Sequence, residues 1–376
     1  MLFRSERVDF VIIAGDLFHT AHILPRTFAR AVETLQPLKD SGIPCVAVEG
    51  NHDWIHRRDN VSWMEALSQM GYIHLLRPER SFNGAYIFSP YDYSLGTGGH
   101  IETGGINIYG LGYIGAQAGN HVSRICEAVT TKNNILIFHV GIWTYSPVEI
   151  GNMKPEEAVQ LSEKFDYVAL GHGHRPYIVT DREGRPYAFN PGAPERVNFG
   201  EESYDKGYYM VSVEDGQYSH RFCPINPRPM LVMNINLDGA EDSGQAIELL
   251  RKQAGEVLSS RPEAAPLIEI RMIGKVRFRP FELGRERLRI IFNELCAPLH
   301  LEIKNHLSQI SFKSGGESEK KSLAEIEKDV LHELISTRSE YKGQEDELVR
   351  LAMTIRDQVL KGDVDDEELL SLLEGV

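Results

Sequence analysis

Four short apolar runs in the first half of the chain each end on polar residues of a kind that bind metal, and this repetition restricts the fold more than any other feature. Val8 to Ala14 (VDFVIIA) runs into Gly15-Asp16, and Pro44 to Val48 runs into Glu-Gly-Asn-His-Asp, ending at Asp53. Asn134 to Phe138 runs into His139, and Tyr167 to Leu170 into Gly171-His172-Gly173-His174. Short apolar runs bounded by turn residues read as buried strands. Between the first two, Arg26 to Lys39 places Phe28, Val32, Leu35 and Leu38 at helical spacing. Strands alternating with helices specify an α/β architecture. In such sheets ligands bind just past the C-terminal ends of the strands, because the strands fix the loops that leave them.

The residues at those ends share a chemistry. Asp16, Asn51, His139, His172 and His174 combine a carboxylate, an amide and three imidazoles, a set that suits manganese, iron or zinc rather than calcium. The glycines beside them, Gly15, Gly50, Gly171 and Gly173, permit sharp turns and close approach. A carboxylate such as Asp16 can bridge two cations, and cations about 3.5–4 Å apart stabilise both the attacking and the leaving oxygen of a phosphoester displacement. His52, one residue past Asn51, can face substrate instead of metal and protonate the leaving oxygen. A single Gly-Asp is ordinarily a turn, and a single strand-end His is ordinarily a hydrogen-bonded surface residue. The ordered set of four carries the reading.

From Ile178 to about Phe222 the pattern changes to closely spaced strands, with turns at Arg182-Glu183-Gly184 and Glu214-Asp215-Gly216. Pro224, Pro227 and Pro229 then mark a boundary. Beyond it come a strand from Met230 to Ile235, a helix from Gly244 to Leu258, a strand from Pro266 to Ile273, a helix from Phe281 to Leu295 and a strand from Leu299 to Ile303, an appended βαβαβ unit. Ser308 to Ser322 reads as a polar linker. From Leu323 the pattern is helical, with Leu348, Leu351, Ile355 and Val359 on one face, followed by an acidic run and Leu369, Leu370, Leu372 and Leu373.

With these motifs in place, the chain resembles the calcineurin-like metallophosphoesterase superfamily, and within it the SbcD branch of double-strand-break repair nucleases that partner SMC-like ATPases. Gly-Asp-Leu-Phe-His (Gly15 to His19), Tyr-Val-Ala-Leu-Gly-His-Gly-His (Tyr167 to His174) and NPGAPERVNFGEESYDKG (Asn190 to Gly207) carry the likeness, firmly over residues 8 to 225 and only by arrangement beyond. The resemblance implies a phosphoesterase β-sandwich flanked by helices over 1–225, a small α+β capping domain over 226–307, a linker over 308–322, and a helical tail over 323–376 that binds an SbcC-type ATPase subunit. It further implies two manganese ions, with iron, zinc or magnesium as alternatives. Asp16 would be the bridging carboxylate, Asn51, His139 and His172 the other ligands of the second metal, and His174 a ligand of the first. His52 would be the catalytic histidine and His19 a histidine on the phosphate side. DNA would be the substrate, and homodimerisation is left open.

One departure stands out. The family opens with a strand bearing Asp-x-His ahead of Gly-Asp, and none of the residues before Gly15 reads so. The chain is therefore expected to hold the second metal better than the first. The opening, Met1 to Arg7, fits poorly as a domain start, since Arg4 to Val8 reads as the end of a helix entering a strand, which favours a sequence that continues upstream over a protein with a degraded site.

The formal charge of −14 excludes a surface that attracts nucleic acid as a whole, so DNA contacts must be local. Arg57, Arg58 and Arg175, beside the site motifs, are candidates to meet phosphates. The basic run Lys275, Arg277, Arg279, Arg285, Arg287 and Arg289 reads equally as a DNA-facing patch or a solvated face. The apolar tail face reads equally as an ATPase-docking surface or as packing on the protein's own core. No run approaches the roughly 20 apolar residues of a membrane span, the N-terminus lacks a secretory signal, and the four scattered cysteines form no C-x-x-C pair, so a cytoplasmic protein with buried thiols is expected. Beside the nuclease reading stand two others: a non-catalytic assembly subunit with an incomplete metal site, and a phosphoesterase acting on another phosphoester.

Overall fold

The computed structural model describes residues 8–54, 61–146, 150–259, 264–310, 323–336 and 343–361. Its residues fall into two compact units, 1–309 and 310–376. The first unit is built on two facing sheets. Val11–Ile13, Cys45–Ala47 and His74–Leu75 form a parallel three-stranded sheet in that order. The second sheet has six strands, ordered Tyr177–Thr180, Pro186–Asn190, Tyr167–Leu170, Asn134–Phe138, Ile106–Leu111, His100–Thr103. Its four inner strands are mutually parallel and its two outer strands pair antiparallel.

Three of the apolar runs follow from burial on both faces, since successive side chains of a strand point to opposite sides, whereas Val11–Ile13, at a sheet edge, is partly buried. Ile135, Ile137, Tyr167 and Ala169 enter the layer between the sheets, where they meet Val46 and Val48. Leu136, Phe138, Val168 and Leu170 enter the layer beneath the short helices that carry Val122, Ile125, Ala158 and Leu161. On the outer face of the three-stranded sheet, Cys45, Ala47 and Leu75 pack against Leu35 and Leu38 of the helix Pro25–Asp40 and Met64 and Leu67 of the helix Trp63–Gln69. The architecture is thus a β-sandwich flanked by helices. Local signals place the helices: Pro25 opens the first, where its missing N–H costs nothing, and the Ser62 hydroxyl caps the second by accepting from the Glu65 N–H at 3.0 Å.

Both expected turns are hairpins. The second joins Gly207–Glu214 to Gln217–Pro224, with Asp215 at φ 49° and Gly216 at φ 76° supplying the paired left-handed residues of a two-residue turn. Tyr209, Val211 and Tyr218 of this hairpin pack onto the layer between the sheets.

Three parallel strands, Met230–Asn236, Leu267–Val276 and His300–Gln309, follow, connected by the helices Ser243–Val257 and Arg285–Cys296 around a cluster of their own. The last strand runs six residues beyond the Ile303 limit read from the sequence. It lies at the sheet edge with one face away from the apolar cluster, so Lys304 and His306 on that face need no apolar character. Ser308 and Gln309 accordingly belong to this strand and not to a linker. Residues 311–322 lie outside the described ones. In the basic run, Arg289 pairs with Glu286 at 2.6 Å and Arg277 with Glu241 at 3.8 Å, so acids partly neutralise it.

The second unit contains the helices Leu323–Ser336 and Glu345–Lys361, joined by an ion pair between Arg356 and Glu327. Leu348, Leu351 and Ile355 are partly buried within it. The Val359 side chain and Leu369, Leu370, Leu372 and Leu373 lie outside the description. Among the described residues no helix is long and apolar enough to cross a membrane. All four cysteines are free thiols. Cys45 and Cys223 are buried, whereas Cys126 and Cys296 are only partly so, short of the burial expected for all four.

Phe138 is fully buried in a strand that touches both core layers. Phe138→Ala is expected to lower unfolding stability by about 3–5 kcal/mol in urea titration, and a loss under about 1 kcal/mol would contradict this packing.

Candidate metal centre

The two parallel sets of strands deliver their loops to one edge. Asp16 follows Val11–Ile13, Asn51 follows Cys45–Ala47, His139 follows Asn134–Phe138 and His172 follows Tyr167–Leu170. Ligand atoms of Asp16, His139 and His172 all lie within 4.8 Å of one another. Asn51 completes the group: its Oδ1 is 3.1 Å from His139 Nε2 and 2.9 Å from His172 Nδ1, while Asp16 Oδ2 is 3.3 Å from His139 Nε2.

The far side of each ring determines what these distances mean. His139 Nδ1 is 2.7 Å from the Ala14 carbonyl, and His172 Nε2 is 2.9 Å from the Ile150 carbonyl. A carbonyl can only accept, so both of those nitrogens carry a proton, and in each neutral ring the opposite nitrogen presents a lone pair. Those lone pairs face the oxygens of Asp16 and Asn51. Turning the Asn51 amide round would give the rings N–H donors but would still leave Asp16 Oδ2 against the His139 lone pair. A proton on His139 resolves only the contacts at that ring. One divalent cation satisfies all four atoms together, and this convergence is the test that the residues fit a metal.

Burial pushes the His172 pKa down to about 4, with the neighbouring His139 adding to the effect, so its imidazole is neutral at ordinary pH and available as a ligand. Asp16 is also buried, which opposes ionisation, yet its carboxyl is held below the usual range by His139 whenever that ring carries a second proton and by the His52 N–H.

The backbone is strained to achieve this meeting. Asp16 (φ 51°) and His172 (φ 72°) occupy the left-handed region, which costs non-glycine residues about 1–3 kcal/mol each. Two glycines allow the loops to close. A Cβ at Gly50 would lie 2.0 Å from Asp16 Oδ1, and one at Gly171 would lie 1.9 Å from the Ala14 carbonyl oxygen that holds His139. Asp53, buried to 2% exposure, ties two loops together by accepting from the Gly50 N–H at 2.9 Å and the Phe18 N–H at 3.2 Å. Glu49 anchors the same loop from below through Arg77 Nη2 at 2.6 Å and Nε at 3.1 Å.

The remaining candidates are placed as follows. The His52 N–H donates to Asp16 Oδ1 at 2.9 Å, and its ring stacks on that of His19 with centroids 5.5 Å apart and planes at 17°. His174 stands outside the four-residue group. Its Nδ1 bonds Glu201 Oε1 at 2.7 Å, and Glu201 is held in turn by Lys206 at 2.8 Å, the Val197 N–H and the Asn198 amide. Arg175 is exposed, with its guanidinium 5.9 Å from the Tyr204 ring. Arg57 and Arg58 lie outside the described residues.

Sequence reasoning missed four residues here. Asp53 closes the Gly-Asn-His-Asp motif and was assigned no task. Glu201 and Lys206 stand within Asn190 to Gly207, but nothing in their spacing says that they reach His174. Tyr113, past the strand Ile106–Leu111, packs its ring 5.6 Å from His172 and 6.2 Å from His139, and that strand end carries no metal-binding residue to attract notice.

Residues 1–176 match the family model for calcineurin-like phosphoesterases. The chain is similar to the DNA double-strand break repair protein Mre11 of Methanopyrus kandleri, 27% identical over 277 residues, which cover 67% of this chain and 57% of that protein. It is also similar to Mre11 of Saccharolobus solfataricus, 27% identical over 238 residues (62% and 57%), and of Archaeoglobus fulgidus, 26% identical over 307 residues (77% and 67%). The chain therefore spans little more than half the length of the first two relatives.

Lys206, fully buried, is the cation beside buried Glu201. Lys206→Met is expected to cost about 3–5 kcal/mol in denaturant unfolding, because it removes the ammonium partner of a buried carboxylate, and Glu201→Gln added to it should recover much of the loss. A single-variant loss below about 1 kcal/mol would contradict the pairing.

Proposed function

We propose that this chain, which carries a calcineurin-like metallophosphoesterase domain over residues 1–176, is a manganese-dependent nuclease subunit that hydrolyses phosphodiester bonds at DNA ends in double-strand-break repair. The observation that carries the reading is the convergence of two imidazole lone pairs with the Asp16 and Asn51 oxygens. The likeness to relatives named as double-strand break repair proteins supports the substrate.

Asp16, Asn51, His139 and His172 would hold a divalent cation, with His174 turned by Glu201 toward a second. Bound there, such ions supply positive charge to the phosphoryl oxygens and make water a nucleophile at neutral pH. The protein's own residues do the positioning and the proton transfer. Ala14 and Ile150 fix the two rings, so substrate binding requires no reorientation of either. His52 hangs from the loop bonded to Asp16, next to Asn51, and passes a proton to the leaving oxygen as the phosphorus–oxygen bond breaks. His19, stacked on His52, limits how that ring can turn. Arg175, with Arg57 and Arg58, meets the flanking phosphates. The domain boundaries read from the sequence, with a cap over 226–307 and a tail over 323–376 that engages an SMC-like ATPase subunit in the cytoplasm, belong to the same proposal.

Purified chain with manganese is expected to digest linear DNA. His52→Ala should lower kcat by about 10²–10⁴-fold while leaving manganese binding intact, as followed by gel assay and isothermal titration. Unchanged turnover in that variant would refute the role of His52.

A further inference from the structure

Each of the three tryptophans exposes a third or more of its surface, although large aromatic rings ordinarily go to the core. Trp63 is accounted for by its indole N–H, which donates to the Ala21 carbonyl at 2.9 Å, and by its packing on Phe28. Trp54, 50% exposed, sits elsewhere. It belongs to the loop that delivers Asn51 and His52, and three residues of chain reach at most about 10 Å. Its indole meets the Tyr113 ring edge-on, with centroids 5.4 Å apart and planes at 68°.

Tyr113 is the fixed member of the pair. Its hydroxyl donates to the Ile150 carbonyl at 3.2 Å, the same oxygen that accepts from His172 Nε2, and its ring abuts those of His172 and His139. A continuous line of rings therefore runs from the candidate ligands outward to a half-exposed indole. Tyr113 holds one edge of Trp54, and half of the residue's surface is exposed.

We infer that Trp54, supported by Tyr113, is a stacking platform for the unpaired base next to the phosphate that is cut, so that the substrate at this site is a single-stranded or frayed end bearing a base at that position. The inference rests on the nuclease reading above. Every base has an apolar π face, so stacking on a Trp is indifferent to sequence and is worth roughly 1–3 kcal/mol per base. A base inside a duplex already has stacking partners and gains less. Base pairing also holds it away from the wall of the site. Because the platform stands on the loop that carries Asn51 and His52, a base seated on Trp54 fixes its own phosphate over those residues.

Two single-stranded oligonucleotides distinguish the possibilities, one with normal nucleotides and one with abasic residues flanking the cleaved bond. Affinity is read by anisotropy on fluorescein-labelled phosphorothioate versions, and KM and kcat on cleavable ones, all with manganese. Wild type is expected to favour the base-bearing strand by about tenfold in affinity and KM. Trp54→Ala should treat the two strands alike, at the wild-type level for the abasic one, while Trp54→Phe should keep most of the preference. Wild type cutting and binding both strands equally, or Trp54→Ala retaining the preference, would overturn the platform and leave the nuclease reading standing. Wild type that neither binds nor cuts either strand would overturn both.

Discussion

Two backbone carbonyls decide the chemistry of this protein. By accepting from one nitrogen of each ring, the carbonyls of Ala14 and Ile150 fix the tautomers of His139 and His172 and turn their lone pairs toward Asp16 and Asn51. Left alone, that arrangement sets lone pair against lone pair in a partly buried place, where such a conflict is costly. A divalent cation held there would convert each repulsive contact into an attractive one. The fold tolerates the conflict because the Ala14 carbonyl, at least, has little room to move. Ala14 directly follows a sheet strand, and its oxygen sits so close to Gly171 that no side chain fits there.

The rest of the architecture serves this meeting. Parallel strands place their C-terminal ends on one side, and a sandwich of two such sheets brings two sets of loops together at its edge. Burial anchors the strands Cys45–Ala47, Asn134–Phe138 and Tyr167–Leu170, while Asp53 and the Glu49–Arg77 pair brace the loops from beneath. Against those braces the left-handed Asp16 and His172 persist, local strain outweighed by core burial and by hydrogen bonds that would be lost if either relaxed.

Much of this was legible in the chain itself. Apolar runs ending in Gly-Asp, Gly-Asn-His-Asp, His and Gly-His-Gly-His revealed the strands and the edge where Asp16, Asn51, His139 and His172 meet, because strand burial and loop polarity leave strong local patterns. What was not legible depends on distant contacts. His174 reads like His172, two residues earlier, but Glu201, itself paired with Lys206, takes its Nδ1, and that pairing spans a separation no local pattern encodes. Tyr113 and Trp54 lie in different loops and come together only in the folded sandwich. The edge strand His300–Gln309 runs past its apolar part because hydrogen bonding to a single neighbour, not burial, sustains its polar end.

The most direct measurement is a crystal of the chain soaked in manganese, with anomalous diffraction used to locate the ion. The account expects an anomalous peak bonded at once to Asp16, Asn51, His139 Nε2 and His172 Nδ1, with both rings still bonded to Ala14 and Ile150. A peak elsewhere, or none here with the imidazoles turned so that their N–H groups point at Asp16 and Asn51, would contradict it.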